Sequence, residues 1–181
     1  QTALTKKYYN DFIRNGALLN PSDKEKLRQI DQELSILGPK FSENVLKATN
    51  AFELLIEDKS DLRGLPESAC EAAQYEAEAK GHKGKWLFSL HSPSLVPFLQ
   101  YADNRSLRKK MWVSYNSRSY KDSFDNQELI KNTIRLKSDR AKLLGFKAIA
   151  DFVLAERMAE SKEQVLTFLD KLLVPSKKAA E

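Results

Sequence analysis

Residues 27–48 read LRQIDQELSILGPKFSENVLKA, and the spacing of their apolar side chains decides the fold. Leu27, Ile30, Leu34, Leu37, Phe41, Val45 and Ala48 advance by three or four residues at a time. That step returns a side chain to the same face of an α-helix, so one long helix is predicted to bury all seven. Leu34, Leu37, Phe41 and Val45 are expected to pack together. Gly38-Pro39 interrupts the run, because Pro39 has no amide to bond the Ser35 carbonyl. The apolar phase continues across the proline, which favours a kink over two separate helices. Just upstream, Asn20-Pro21-Ser22-Asp23-Lys24-Glu25 is a helix start in which Ser22 and Glu25 fit a capping box.

Working outward, Tyr8 to Leu19 holds Tyr9, Phe12 and Ile13 in a short amphipathic segment that ends near Gly16. Beyond the long helix, Glu53-Leu54-Leu55-Ile56-Glu57 reads as a short strand and Asp58-Lys59-Ser60-Asp61 as a turn. Gly64-Leu65-Pro66 opens an alanine-rich helix that runs to Lys80 and stops at Gly81. A second strand is expected within Lys85 to Leu90, so Leu54–Glu57 and Trp86–Leu90 pair as an antiparallel ribbon. After Ser92-Pro93, helices are predicted at about 94–102, 105–119, 126–144, 148–159 and 162–173. Ser161 with Gln164 caps the last, whose apolar face is Val165, Phe168, Leu169 and Leu172. The fold class is therefore mostly α: a multi-helix domain with one short two-stranded antiparallel β-ribbon. No repeat, low-complexity tract or Pro/Gly/Ser-rich linker divides residues 1–181, which read as a single helical segment.

The 181 residues carry 30 basic and 25 acidic side chains, for a net charge of +5, and the two signs are interleaved as on solvated helix faces. No apolar run reaches the roughly 18 residues of a membrane-spanning helix. Gln1 to Lys7 is not followed by the apolar core of a signal peptide. The densest basic stretch is Arg105, Arg108, Lys109 and Lys110, with Arg118 and Lys121 beyond and Trp112, Tyr115 and Tyr120 among them. Such a set can hold phosphates and stack bases. Leu107, Met111 and Tyr115, however, form a stripe at four-residue spacing along the same helix. A core stripe with a solvated basic face is the stronger reading, and no nucleic-acid or membrane partner is expected.

Catalytic side chains are sparse. Cys70 is the sole cysteine, so no internal disulfide can form, and its acidic neighbours Glu67 and Glu71 hold a thiol protonated. His82 and His91 are the two histidines, and neither stands in His-Glu-x-x-His. That spacing places two imidazoles on one helix face with a general base between them. No Gly-x-Ser-x-Gly elbow, phosphate-binding glycine loop or distinguishable carboxylate pair is present. From the residues, no catalytic, cofactor-binding or metal-binding position is assigned.

Several segments together carry a resemblance. Phe41-Ser42-Glu43-Asn44-Val45-Leu46-Lys47-Ala48-Thr49-Asn50-Ala51-Phe52, the Leu27 to Leu37 run before it, Gly16-Ala17-Leu18-Leu19 and Gly64-Leu65-Pro66 are similar to the thimet oligopeptidase family of zinc metallopeptidases. Within it they resemble the bacterial peptidyl-dipeptidases of the Dcp type. Asn104-Arg105-Ser106-Leu107-Arg108, Tyr115-Asn116-Ser117-Arg118, Asp125-Asn126, Leu136 to Phe146, Asp151-Phe152-Val153-Leu154 and Met158-Ala159 continue the likeness in order.

The resemblance implies a parent enzyme whose zinc activates a water against a peptide carbonyl, releasing C-terminal dipeptides from short peptides. Its zinc and catalytic residues lie in a C-terminal half carrying His-Glu-x-x-His, so none is carried over here. This segment is expected to be an internal scaffold and cleft wall, inactive alone, from a parent in the cytoplasm or, alternatively, the periplasm. Val174 to Glu181 starts a further helix-prone stretch, as a cut inside a larger chain would. Self-association through the Val165–Leu172 face is expected on that account, the alternative being that this helix folds back onto the 126–144 helix and is covered. The competing reading is a free-standing helical protein-interaction module.

Overall fold

The computed structural model describes residues 2–181. Among the described residues, eight α-helices, one 3-10 turn and one two-stranded sheet follow in the order α1 (Thr2–Arg14), α2 (Pro21–Ala51), β1 (Leu54–Ile56), a 3-10 helix (Lys59–Leu62), α3 (Glu67–Ala79), β2 (Trp86–Phe88), α4 (Ser92–Tyr101), α5 (Arg105–Asn116), α6 (Gln127–Leu143), α7 (Ile149–Leu154) and α8 (Lys162–Ala180). The chain forms two compact units. One is Gly38–Leu129; the other joins Gln1–Leu37 to Ile130–Glu181.

In the first unit, β1 and β2 pair antiparallel with Leu54 opposite Phe88, Leu55 opposite Leu87 and Ile56 opposite Trp86. This is the predicted ribbon, trimmed to three residues a strand. Period-two geometry turns Leu54 and Ile56 into the core. Two strands are marginal alone, and here α3 lies against β2 while α4 packs on α3 and α5. The core gathers Leu54, Ile56, Phe88, Leu90, Phe98 and Met111. Phe88 and Phe98 meet edge to face with ring centres 4.7 Å apart. The Asp58 carboxylate accepts from the Ser60 amide at 2.8 Å, capping the 3-10 turn and holding its own pKa below the usual carboxylate value. α3 ends at Gly81, φ +85°, where the His82 amide donates to the Ala77 carbonyl (2.8 Å) and the Gly81 amide to Glu78 (3.0 Å). Only a residue at ease with positive φ closes a helix this way.

The second unit has a thin core. Leu27, Leu136 and Ala141 are its buried apolar side chains among the described residues. Arg14 lies 4.4 Å from the centre of the Phe152 ring, donates to the Phe152 carbonyl (2.9 Å) and pairs with Glu156 (3.1 Å). Arg140 bonds Asp31 at 2.7 Å.

The structure corrects three expectations and keeps a fourth, the single helix across Pro39. The cap of α2 is Asn20, not Ser22: Asn20 Oδ1 accepts from the Asp23 amide at 2.9 Å, and Asn20 Nδ2 donates to the Asp23 carboxylate. Pro21, with no amide and a fixed φ, suits the first helical position and moves the cap two residues upstream, to Asn20. Phe41 is 40% exposed rather than buried, and Leu34, Leu37 and Val45 are only half-buried; of the predicted stripe Leu27 and Ala48 are buried, joined on the same helix by the polar Asn44 and Thr49. Pro39 lies within one uninterrupted helix, and the Ser35 carbonyl it orphans belongs to a solvent-exposed residue. α8 passes Pro175 to reach Ala180, whereas α7 stops at Leu154 and α5 at Asn116.

Candidate functional site

Each residue with chemical potential has a placement that explains it. His82 closes α3 through its backbone. His91 precedes α4, and its Nε2 lies 2.9 Å from Asn50 Oδ1 as a hydrogen bond on the surface. Cys70 sits half-buried on α3; burial pushes its thiol pKa up, the Glu67 carboxylate adds to the rise, and Lys59 opposes it. A thiol in that setting stays protonated and weakly nucleophilic. Among the described residues, no three His, Cys, Asp or Glu side chains stand together to hold a metal ion. The roughly three protein ligands of a catalytic zinc are thus not assembled here, and no step of zinc chemistry is assigned to these residues.

The most ordered polar constellation ties the second half of α2 to the 117–126 loop. Asn44 Nδ2 donates to Asn126 Oδ1 at 2.8 Å, and Asn126 Nδ2 donates to the Phe41 carbonyl at 3.1 Å. Both asparagines are buried. The Asn126 amide bonds the Ser119 carbonyl, and Asp122 accepts from the Ser119 and Phe124 amides at 2.8 Å each. These bonds hold Ser119 and Lys121 at φ 57°, a costly conformation for residues with a side chain. Arg118 stacks on Tyr115 with its guanidinium 3.7 Å from the ring centre, and donates to Thr49 Oγ1 (2.8 Å) and the Tyr115 carbonyl (2.8 Å). The result is a clamp rather than a reaction centre: its amides and the Arg118 guanidinium meet acceptors within the unit, and the buried Ser119 hydroxyl is left without a partner. A cavity of about 350 Å³ opens beside it, between Phe52, Leu90 and Phe124.

The basic stretch is divided as the stripe required. Leu107 and Tyr115 pack against the core beside the fully buried Met111. Arg118 is absorbed into the clamp. Arg105, Arg108, Lys109 and the 58% exposed Trp112 remain on the outer face of α5. On α8, Ser161 Oγ accepts from the Gln164 amide at 3.2 Å, as the sequence predicts. Its apolar face is largely uncovered: Phe168, Leu169 and Leu172 are exposed, and Val165 is half-buried. Among the described residues, no helix is long and apolar enough to cross a membrane.

Asn44 and Asn126 escaped the sequence reading. The available signal was an asparagine inside a long helix, one residue off an apolar stripe, a position poor in intrinsic helix preference and so in need of a tertiary reason.

Comparison with known proteins points to one class. Residues 98–181 match the family described as Peptidase family M3. The chain is 40% identical to oligopeptidase A of Haemophilus influenzae over 176 residues, covering 94% of this chain and 26% of that protein. It is 38% identical to a probable cytosolic oligopeptidase A of Arabidopsis thaliana (93% of this chain, 25% of the relative) and 28% identical to the dipeptidyl carboxypeptidase of Escherichia coli (98% and 26%). These likenesses support the M3 peptidases as the family. The chain spans about a quarter of the length of these relatives. Similarity to the oligopeptidases A exceeds that to the dipeptidyl carboxypeptidase type that the resemblance implied.

Proposed function

We propose that this chain is an internal helical part of an M3 zinc oligopeptidase, serving as scaffold and as one wall of the peptide cleft. In this reading zinc and the residues that act on the scissile bond lie in another part of the parent, behind its His-Glu-x-x-His motif. The supporting observation is similarity to oligopeptidase A along 94% of this chain but only 26% of the relative. The buried clamp around Asn126, with no cluster of metal-ligating side chains among the described residues, suits a wall held rigid for chemistry performed elsewhere. Short peptides are the proposed substrates and the cytoplasm the proposed compartment.

Elemental analysis and a peptidase assay test this reading. The isolated chain should retain no stoichiometric zinc after dialysis and cleave no peptide. About one tightly held zinc per chain, or hydrolysis abolished by a chelator, would overturn it. For the parent, the identities favour an oligopeptidase A type over a peptidyl-dipeptidase. C-terminally amidated peptides should therefore be cleaved; an enzyme that needs a free C-terminal carboxylate would refuse them.

A further inference from the structure

The outer face of α5 carries a basic groove that the scaffold role does not use. Arg105, Arg108, Lys109 and Trp112 recur at helical spacing and, with Leu99 of α4, line an open groove of about 470 Å³. Between Ser92 and Asn116 there are four basic residues and a single acid, Asp103, whose carboxylate faces Arg63 at 3.9 Å. Among the described residues neither Arg105 nor Lys109 has an ion-pair partner. Arg108 donates to the Ala102 and Asp103 carbonyls, which hold it in place without neutralising it. An exposed tryptophan flanked by unneutralised cations has the composition of an interface hot spot, in which the aromatic supplies area and the charges select the partner.

The charge around the groove narrows the choice of partner. The Gly38–Leu129 unit holds thirteen basic and thirteen acidic residues, so it has no general positive field. α3, packed on α4, carries Glu67, Glu71, Glu76 and Glu78 and no basic residue. A phosphate backbone longer than a few nucleotides would run off the patch onto that acidic helix, whereas a short acidic peptide would not. One helical turn separates Arg105 from Lys109 by about 6 Å. Alternate side chains of an extended peptide are about 6.6 Å apart. Two carboxylates at alternate positions therefore match the two cations, and an apolar side chain two residues on reaches the neighbourhood of Trp112.

We infer that this groove docks an extended acidic peptide segment of the pattern acid-x-acid-x-apolar. The inference does not depend on the peptidase reading, since docking is read without turnover. The test uses the full chain and fluorescence anisotropy with three labelled probes: a peptide with Glu at alternate positions before a Leu, the same peptide with Lys for Glu, and an oligothymidylate of equal charge. The Glu peptide should bind at least tenfold tighter than either of the others, and added salt should weaken it. R105E/K109E should weaken it at least tenfold with the far-ultraviolet circular dichroism unchanged, and W112A should weaken it severalfold. Equal binding of the Glu and Lys peptides, oligothymidylate binding as tightly as the Glu peptide, or a folded R105E/K109E that binds within twofold of the parent would each overturn the inference. If the double variant does not fold, the comparison of probes on the unaltered chain decides.

Discussion

Two phenylalanines separate burial from mere pattern. Phe98 is fully buried and meets Phe88 edge to face, whereas Phe41 keeps 40% of its surface in solvent. Phe98→Ala should therefore cost about 3–5 kcal/mol, the range for emptying a packed aromatic site. Phe41→Ala should cost about 1 kcal/mol, as expected for losing part of an aromatic contact. Denaturant midpoints of the two variants check this, and equal losses would refute the assignment of the inward face. The side chain that fixes that face is Asn126, since its amide occupies both the Asn44 side chain and the Phe41 carbonyl in a dry setting. Such buried polar groups must be paired, so they specify one rotation of the helix where an apolar stripe alone tolerates several.

At the scale of elements, glycines at two junctions have the same φ and different surroundings. At Gly81 (φ +85°) nothing lies within 4 Å of where a Cβ would stand. Gly81→Ala should therefore show only the left-handed penalty of about 1–2 kcal/mol. At Gly64 (φ +84°) a Cβ would run into the Tyr101 carbonyl oxygen and come within 2.8 Å of Asp103 Oδ1. Backbone cannot step aside as a flexible side chain can, so Gly64→Ala should lower the thermal midpoint clearly further than Gly81→Ala. Equal shifts would show that the Arg63–Asp103 connection yields. These junctions also mark what was legible beforehand. The strands, their antiparallel pairing, the stop at Gly81 and the Ser161 cap rest on local rules and were readable. The Asn20 cap was lost because Pro21 favours the first helical position over the Ser22 box. The end of α8 was misplaced because a proline whose orphaned carbonyl faces water does not end a helix. Of the candidate site, the separation of the Leu107–Met111–Tyr115 stripe from the basic face of α5 was legible from spacing. The Asn44–Asn126 contact was not, since it joins residues 82 positions apart.

For the whole molecule, the two units differ in how much apolar surface they hide. The Gly38–Leu129 unit closes around a continuous core. The other leaves Leu4, Tyr8, Tyr9 and Phe12 of α1 exposed, together with Leu166, Phe168, Leu169, Leu172 and Val174 of α8. Apolar surface on that scale drives association beyond a few hundred Å² of contiguous area. The chain alone should therefore sediment with a coefficient that rises with concentration, and Phe168→Glu with Leu172→Glu should return it toward a monomer. A strict monomer at every concentration would refute this.

Pro39 stands two residues past Leu37, where one compact unit gives way to the other inside α2. Its missing amide deletes a rung of the hydrogen-bond ladder at the place where side-chain support changes from one set of neighbours to another. Cooperative opening follows such seams. In amide hydrogen exchange, α2 would then report two lifetimes instead of one: faster for the amides ahead of Pro39, backed by the thin core, and slower for those after it, locked by Asn44 and Thr49. One helix in space would thus behave in time as two.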